Sequence, residues 1–463
     1  MKKRPNVILI VMDCVRFDYL SAYGYARPTT PYLDRLAAEG VLFENAFAAA
    51  PWTPPSHASL FTGTYPSKHG VDVEENLFLS EQNRTLAEIL AEHGYRTFAV
   101  LPDVHLSNVR GFHKGFQEYI ELWPIPYLYW EYDWLKCLVR NILFGRDRRA
   151  RYTNTVMQRW LKKNFSQSDP FFIFVNYKAA HNSYHRIPHT FRRRFETKAP
   201  GIDMKKVRYY AAKGGYSYMA RQLELTEEEF TLIKSWYAGA VAYIDALIGE
   251  MVQYLKELGA YEDTLFVITA DHGENLGEHH LAYHLFCLYD TLLHVPLIMS
   301  CPAVLPRGRR VPGLVSLTDI VPTLLDVLEL GETIDVQSTS LAAFDNRTYH
   351  DHIFGEFGRP YYMLKRLPER FPDHDFSRFD KGLQCVRSTD YKLIVGSDGT
   401  EELYDLHADP GETVNLANAR PDTAANLQAT LATWRANIGQ TFIGQRQQED
   451  EALVKSLRDL GYF

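Results

Sequence analysis

A stretch rich in prolines and hydroxyl side chains, Ala50 to Gly63, holds the residue types needed for attack on an anionic ester. In it Thr53 precedes two prolines and Ser56, and a helical pattern follows. Serine is a preferred N-cap residue, so we predict that Ser56 begins the helix and that Thr53 lies where backbone N–H groups converge. Such a position suits an oxygen nucleophile that attacks sulfate or phosphate. A proline-rich turn that happens to begin a helix is the alternative.

Polar residues able to do chemistry follow four predicted strands. The strands, all mainly aliphatic or aromatic, are Asn6 to Met12, Tyr95 to Leu101, Phe171 to Tyr177 and Thr264 to Ala270. The residues at or just beyond their ends are Asp13, His105, His181, and Asp271 with His272. Ligands of open α/β sheets bind at the carboxyl ends of the strands. We therefore expect these side chains and Thr53 to form one site, although a lone strand-end aspartate is more often a turn residue.

Asp13, Asp271 and His272 have the side chains of metal ligands, and together with Thr53 they form the predicted metal site. A divalent ion there would lower the pKa of the Thr53 hydroxyl and neutralise substrate oxygens. The imidazole favours manganese, zinc or iron, whereas calcium, which prefers oxygen ligands, is the alternative ion.

Three further histidines, His279, His280 and His284, follow Asp271 closely in the sequence. Each has the chemistry of a second metal ligand, a general acid for the leaving group or a contact to the anion. A structural histidine with satisfied hydrogen bonds is the alternative for each of them. We expect at least one to act in catalysis.

The alternation of strands and helices predicts an α/β fold with a mainly parallel sheet and helices on both faces. The helices include Leu86 to His93 and Trp236 to Leu258. After about residue 335, short strands and turns precede a helix from about Asp422 to Ile438, which predicts a small antiparallel sheet with one packed helix. The predicted organisation is a catalytic α/β domain over 1–335 and a C-terminal α+β subdomain over 336–463.

Two insertions interrupt this pattern, at about 121–151 and 186–222. The first is dense in Trp, Tyr and Leu, and we predict a hydrophobic cluster packed on the main domain. An aromatic lid, or a surface helix that touches lipid or sugar, is the alternative. The second is basic and is predicted to be a solvated loop, with attraction of an anionic substrate as the alternative.

The composition is that of an ordinary globular protein, with 463 residues, 46% hydrophobic and 23% charged. A net charge of −7 argues against a general nucleic-acid-binding protein. Five cysteines without C-x-x-C spacing fit neither a disulfide framework nor a zinc knuckle. No apolar run reaches the roughly 18 residues that span a bilayer. We expect a cytoplasmic protein without a transmembrane segment, and a homo-oligomer is compatible with the sequence.

These motifs resemble the sulfatase family of the alkaline phosphatase superfamily over nearly the whole chain. Residues 53–57, T-P-P-S-H, with T-G at 62–63, are similar to the family's nucleophile motif C/S-x-P-S-R and its trailing T-G. Residues 271–274, D-H-G-E, resemble the second metal motif, and residues 6–13 resemble the first strand with its metal-binding aspartate. Residues 402–416 are similar to the family's C-terminal signature.

The resemblance implies an alkaline-phosphatase-like fold and a divalent metal. It also implies an anionic ester as substrate, either a small molecule or a glycan or lipid head group. By the same resemblance, His181 and His284 contact the anion or protonate the leaving oxygen, and His105 and His279 contact the substrate. His57 stands where the family has the arginine that closes the nucleophile motif, and it is included among the predicted catalytic residues.

Besides His57, the sequence departs from the family pattern at three positions that matter for chemistry. Sulfatases use a formylglycine made from Cys or Ser, and Thr53 cannot form that aldehyde because its β-carbon carries a methyl group. Water must therefore attack sulfur or phosphorus to release a threonine adduct, as in phosphodiesterases of the superfamily that use a threonine nucleophile. Asp103 replaces the lysine of the family's G-K-W-H-L motif, and Cys14 replaces the second aspartate after the first strand.

We therefore predict a metal-dependent hydrolase in which Thr53 attacks a phosphate mono- or diester, a phosphonate or a sulfate ester, with sulfate disfavoured by the threonine. One alternative is a non-catalytic family member that binds an anionic glycan or lipid head group, although the intact Asp13, Asp271 and His272 argue against it. The other alternative is a transferase that passes the phosphoryl group to an alcohol, although such transferases are usually membrane-anchored.

Overall fold

The computed structural model describes residues 4–72, 75–123, 147–197, 200–332 and 334–445. The strands in these ranges are β1 (Asn6–Met12), β2 (Val41–Phe47), β3 (Arg96–Leu101), β4 (Glu118–Glu121), β5 (Phe171–Tyr177), β6 (Thr264–Thr269), β7 (Asn275–Leu276), β8 (Ala282–Tyr283), β9 (His294–Ser300), β10 (Arg309–Ser316), β11 (Ile353–Phe357), β12 (Leu383–Arg387), β13 (Tyr391–Gly396) and β14 (Glu401–Asp405). The α-helices are α1 (Pro31–Ala38), α2 (Thr53–Thr62), α3 (Pro66–His69), α4 (Leu86–Glu92), α5 (Ala150–Asn164), α6 (His189–Phe195), α7 (Met204–Tyr209), α8 (Gly215–Met219), α9 (Glu227–Glu257), α10 (Asp290–Leu293), α11 (Ile320–Val327), α12 (Tyr361–Arg370) and α13 (Pro421–Ala436).

A large mixed sheet forms the centre of the molecule, with the strand order β10-β2-β9-β6-β1-β5-β3-β4. Strand β9 runs antiparallel to β2 and β6, and the other neighbouring pairs are parallel. Helices flank this sheet. The predicted fold class, a mainly parallel α/β sheet with a smaller antiparallel sheet after it, is confirmed.

The four strands that carry predicted site residues are neighbours in the sheet, in the order β6-β1-β5-β3. Every residue of β1, β5 and β6 is buried, which is why these strands read as continuous apolar runs rather than alternating ones. Because the four are parallel, their carboxyl ends meet at one edge of the sheet. That edge holds the site.

Helix α2 begins at Thr53 itself, so the prediction that Ser56 is its N-cap is wrong. Trp52 is the N-cap, and Pro54 and Pro55 occupy the first turn, where proline is tolerated because its N–H is not needed. Ser56 lies within the helix and donates its hydroxyl hydrogen to the carbonyl oxygen of Asp271, at 2.6 Å. This bond ties the start of the helix to the end of β6.

The first turn of α2 offers few free backbone donors. Pro54 and Pro55 carry no N–H, and the Ser56 N–H donates to the carbonyl oxygen of Trp52 at 3.3 Å. Among the first four helical residues, only Thr53 retains an N–H for an anion. The predicted convergence of backbone N–H groups at Thr53 is therefore wrong, because the prolines remove two of them.

The long helix α9 begins at Glu227, nine residues before the predicted start at Trp236. Its first residues are fixed by a capping box: the Thr226 side chain accepts from the Glu229 N–H, and the Glu229 carboxylate accepts from the Thr226 N–H. The acidic first turn also suits the positive end of the helix dipole.

The C-terminal part forms a four-stranded antiparallel sheet, β11-β12-β13-β14, with helix α13 packed on it. The short strands predicted from the sequence do not include β11, whereas β12, β13, β14 and α13 lie within a few residues of their predicted positions. A small apolar cluster joins sheet and helix, including Val386, Leu393, Leu403, Leu427 and Leu431.

Of the two insertions, residues 124–146 of the aromatic one lie outside the described ranges. The basic insertion contains the short helices α6, α7 and α8 rather than a loop throughout. Its Arg192 lies over the Trp236 ring of α9, at 5.7 Å from the ring centroid. No helix within the described ranges is long and apolar enough to cross a membrane.

Candidate active site

The carboxyl ends of β1 and β6 and the start of α2 bring four predicted metal-site residues together. Asp13, Thr53, Asp271 and His272 are all buried. The His272 nitrogen Nε2 lies 3.3 Å from the Thr53 Oγ1 and 3.3 Å from the Asp271 Oδ2. The opposite nitrogen, Nδ1, lies 2.8 Å from the carbonyl oxygen of Gly273. A carbonyl can only accept, so Nδ1 carries a proton and Nε2 is the nitrogen that faces Thr53 and Asp271.

Two carboxylates share this buried place, and their charges disturb each other. Burial, and then the charge of Asp271, raise the pKa of Asp13 to about 8. Burial alone would lower the pKa of His272, but Asp271 and Asp13 outweigh it and raise that pKa to about 9. Within the described part of the chain, the Oδ2 atoms of Asp13 and Asp271 have no hydrogen-bond partner.

This arrangement fits a divalent cation. Two buried carboxylate oxygens without donors are costly unless a positive charge meets them. The His272 Nε2, which gives up its proton when an ion binds, and the Thr53 hydroxyl complete a set of oxygen and nitrogen ligands. The residues present thus have the chemistry of the predicted metal site.

His181 and His284 lie beside this group, next to Cys14. The rings of His272 and His284 stack with centroids 4.5 Å apart, and those of His181 and His284 meet edge to face at 5.0 Å. The Cys14 sulfur lies 3.6 Å from the Nδ1 of His284 and donates to the Asp13 carboxylate at 3.0 Å. Burial lowers the pKa of His181 and of His284, so both rings are neutral near pH 7.

A buried ion pair completes the edge on the far side of β1. The Lys178 ammonium group donates to the Asp103 carboxylate, and both side chains are buried. Although burial opposes it, Lys178 holds the pKa of Asp103 well below its usual range. The backbone N–H of His105 also donates to the Asp103 carboxylate, at 2.7 Å. The Arg110 guanidinium in turn donates to the Nδ1 of the His105 ring, at 2.9 Å. His105 is thus part of a charged network around Asp103.

His57 does not reach the hydroxyl of Thr53. Its Nδ1 donates to the carbonyl oxygen of Thr53 at 2.9 Å and lies 3.5 Å from the Asp271 Oδ2. Its ring is fully buried, with edge-to-face contacts to Phe61 and Phe174. His57 thus contacts the backbone of Thr53 and the Asp271 carboxylate, which it can hold in position, and its predicted catalytic role stays a prediction.

The structure does not bring His279 to the site. Its ring stacks on Tyr289, with centroids 3.9 Å apart, and its charged neighbours are Glu278, Glu402 and Asp409. The positive φ of His279, 54°, turns it away from the path of a regular helix. The predicted substrate contact of His279 is therefore not supported by this geometry. The ring of His280 likewise lies against the ring of Tyr218, with centroids 4.2 Å apart.

Two residues of the site had no predicted role. Lys178 lies three residues before His181, just past β5, and the missing family lysine at position 103 was the signal that another lysine supplies the charge. Glu274 is the last residue of the D-H-G-E motif. Its carboxylate accepts from the His284 Nδ1 at 2.8 Å and from the Tyr184 hydroxyl at 2.5 Å.

A hydroxyl group at a helix start, two buried carboxylates and a group of neutral imidazoles at the carboxyl edge of a parallel sheet form a site for the hydrolysis of an anionic ester. The hydroxyl group has the chemistry of a nucleophile, the carboxylates have that of a cation-binding set, and the imidazoles have that of contacts to the leaving group.

The comparisons with known proteins identify the family. The family model described as Sulfatase matches residues 5–330, and the model described as N-sulphoglucosamine sulphohydrolase, C-terminal, matches residues 277–437. The chain belongs to the sulfatase family, and it is a hydrolase that acts on ester bonds. Members of this family generally use a divalent metal ion.

Individual relatives agree with that placement. Arylsulfatase K of Canis lupus familiaris is 25% identical, over 99% of this chain and 87% of its own. The phosphonate monoester hydrolase of Agrobacterium radiobacter is also 25% identical, with a TM-score of 0.76, over 94% of this chain and 96% of its own. A second solved structure, in complex with its substrate D-glucosamine-2-N,6-O-disulfate, shares the fold at 19% identity and a TM-score of 0.69, over 94% of this chain and 99% of its own.

Proposed function

We propose that this protein hydrolyses a phosphorus ester, a phosphate mono- or diester or a phosphonate, with Thr53 as nucleophile and a divalent metal ion held by Asp13, Asp271, His272 and Thr53. The observation that carries the proposal is the position of the Thr53 hydroxyl, 3.3 Å from the His272 Nε2 at the start of α2. When bound, the metal ion supplies a lowered pKa for that hydroxyl and a counter-charge for the ester oxygens.

The reaction proceeds in two displacements. The Thr53 hydroxyl loses its proton to solvent and its oxygen forms a bond to phosphorus, the bond from phosphorus to the ester oxygen breaks, and the leaving oxygen takes a proton from water while His181 and His284 contact it. A water then attacks phosphorus on the resulting phosphothreonine, the bond to Thr53 breaks, and Thr53 regains its hydroxyl proton. The same two steps hold for a sulfate ester with sulfur in place of phosphorus.

Positive charge at the site comes mainly from side chains and the metal. The first turn of α2 gives an anion only the Thr53 N–H, because Pro54 and Pro55 carry none. Lys178 is charged and buried at the same edge of the sheet, where it offsets the carboxylates of Asp103 and Asp13. We infer that Lys178 takes over the charge that the family places at position 103.

The choice of phosphorus over sulfur rests on Thr53. Formylglycine releases sulfate by breaking a C–O bond, and a threonine adduct lacks that exit. Relatives carry names of both kinds, arylsulfatase K and phosphonate monoester hydrolase. A sulfate ester therefore stays a second candidate substrate, as a small molecule or on a glycan.

The test compares purified wild type with Thr53→Ala and the matched control Thr53→Ser. Each is assayed on an aryl phosphate, an aryl phosphodiester, an aryl phosphonate and an aryl sulfate, with added manganese, zinc or calcium. We expect turnover of a phosphorus ester to fall by at least about 10³-fold in Thr53→Ala. Thr53→Ser keeps the oxygen, so it retains most of the turnover. An acid-quenched digest of the wild type should show a phosphoryl group on the peptide that contains Thr53.

Sulfate or phosphate turnover that survives in Thr53→Ala would contradict the nucleophile assignment. Bound metal without turnover of any ester would favour the non-catalytic alternative. A transferase would instead form a new ester when an alcohol is added as acceptor. Each alternative thus has its own outcome in the same set of assays.

A further inference from the structure

A second group of metal-ligand atoms lies beside the site of the proposed function. Within the described part of the chain, Cys14, His181 and His284 each place one ligand atom within 4.8 Å of the other two, and all three residues are buried. The Cys14 sulfur lies 3.6 Å from the Nδ1 of His284, so the thiol and this ring are in contact. The group therefore has the residue types and the close spacing of a metal site.

The hydrogen bonds of the two histidines prepare them as ligands. The His181 Nδ1 lies 3.1 Å from the carbonyl oxygen of Asn182, and the His284 Nδ1 lies 2.8 Å from the Glu274 carboxylate. Both partners accept, so both Nδ1 atoms are protonated and both Nε2 atoms keep their lone pairs. Tyr184 fixes the Glu274 carboxylate from its other oxygen. A ring that donates from one nitrogen to a carboxylate or carbonyl is the usual state of a metal-binding histidine.

We propose that Cys14, His181 and His284 bind a second divalent ion, zinc in the first place. One thiolate and two imidazoles form a ligand set that suits zinc better than calcium or manganese. Binding converts the Cys14 thiol to a thiolate and releases its proton to solvent, so the charge on the ion is partly met by its own ligand. In this site Cys14, which departs from the family's aspartate, is a functional ligand.

The effect of this second ion on the reaction rests on the proposed function, because the ion would lie beside the same ester. His181 and His284 then hold an ion that meets the leaving oxygen, in place of contacting it directly. Two divalent ions also suit the dianion of a phosphate monoester better than the monoanion of a sulfate ester. The proposal therefore narrows the substrate class to phosphate monoesters.

Metal content tests the site independently of turnover. Four proteins, the wild type, Cys14→Ala, Asp271→Asn and Cys301→Ser, are saturated with zinc and freed of excess metal. The zinc bound per chain is then measured in each. We expect two equivalents per chain in the wild type and one in Cys14→Ala. Asp271→Asn should lose the other ion. Cys301→Ser is the matched control, because the Cys301 thiol is buried away from the site and donates to the carbonyl oxygen of Glu262, and it should retain both.

Cobalt provides an optical readout of the same site. The wild-type protein loaded with cobalt(II) should show a thiolate-to-cobalt charge-transfer absorption, and Cys14→Ala should lack it. The preference for aryl phosphate over aryl sulfate should fall by about tenfold or more in Cys14→Ala. A single equivalent of zinc and no charge-transfer absorption in the wild type would overturn the second site while leaving Thr53-dependent turnover intact. Conversely, turnover that survives in Thr53→Ala would contradict the proposed function, while the number of zinc ions bound by the wild type would still test the second site.

Discussion

The buried pair Lys178–Asp103 shows how single residues at this edge compensate each other. The family pattern expects a positive charge at position 103, and this chain has a carboxylate there and an ammonium group on the neighbouring strand end. Each partner is buried, so neither charge is met by solvent. The two substitutions therefore make sense only together.

Lys178→Met tests that dependence. It leaves the Asp103 carboxylate buried without its cation, so we expect the free energy of unfolding to fall by about 3–5 kcal/mol. Adding Asp103→Asn removes the stranded charge and should restore most of the stability, which urea unfolding of the two single variants and the double variant measures. Turnover of the double variant should stay low, because the charge of Lys178 is still missing. Full activity in the double variant would show that the pair serves stability alone.

The sequence predicts the residues of this site that lie at strand ends and misses those that act through distant partners. Asp13, Asp271 and His272 were predictable because parallel strands bring their carboxyl ends to one edge. The role of Glu274 depends on Tyr184 and His284, which only the folded chain brings to it. For His57 the sequence shows only a residue type suited to catalysis, whereas its hydrogen bond to its own helix could be seen only in the folded chain.

At the scale of elements, helix α1 is capped by a residue of another helix. The Asp245 carboxylate of α9 accepts from the Tyr32 N–H at 3.1 Å and from the Leu33 N–H at 2.8 Å. The N-cap residue Thr30 makes no side-chain capping bond. The packing of α9 against α1 therefore brings in the acceptor for these two N–H groups, which the local sequence does not provide.

This cap makes stability depend on pH. Burial raises the pKa of Asp245 to about 7, from about 3.9 in the unfolded chain. The folded protein thus binds a proton that the unfolded chain has lost, and this contribution to stability is complete below pH 4 and is lost as the pH rises through 7. The slope is at most about 1.4 kcal/mol per pH unit. Asp245→Asn keeps an accepting oxygen without the charge, so the fall of its melting temperature with rising pH should be smaller than in the wild type between pH 4 and 7. An unchanged slope would assign the pH dependence to another group.

Elements that break the rules of regular strands and helices escaped prediction. Strand β10 contains Pro312 and Gly313 and shifts register between Val311 and Leu314, as edge strands with bulges do. The start of α9 was missed although the capping residues Thr226 and Glu229 stand in the sequence. The buried central strands, by contrast, were predicted within a residue or so, since their apolar runs are continuous.

At the scale of the whole molecule, a buried lysine joins the C-terminal sheet to the site. Lys392 of β13 is fully buried and pairs with Asp290 and Glu412, both at 2.8 Å. Asp290 begins α10, and the carbonyl oxygen of Leu292 in that helix accepts from the Gly273 N–H at 2.7 Å. Gly273 directly follows His272. The predicted division at residue 335 therefore separates sequence regions whose contacts meet next to the site.

Lys392→Met should destabilise the molecule as a unit. Removing the cation leaves two buried carboxylates, and we expect a loss of about 3–5 kcal/mol. Lys381→Met is the matched control, because Lys381 pairs with Asp398 at the surface, where such a pair contributes about 0–1 kcal/mol. Calorimetry should show one transition moving to lower temperature in Lys392→Met. Two separate transitions would instead indicate that the parts unfold independently.

The two prolines at the start of α2 also bear on the end of the catalytic cycle. In the proposed reaction, inorganic phosphate released in the site meets one backbone donor of the helix, the Thr53 N–H, where a helix without prolines would offer more. The product would therefore be held mainly by cations, the same ones that serve the reaction. Product inhibition by phosphate should consequently strengthen and weaken with the ion content of the enzyme, and an enzyme stripped of its ions should release phosphate freely.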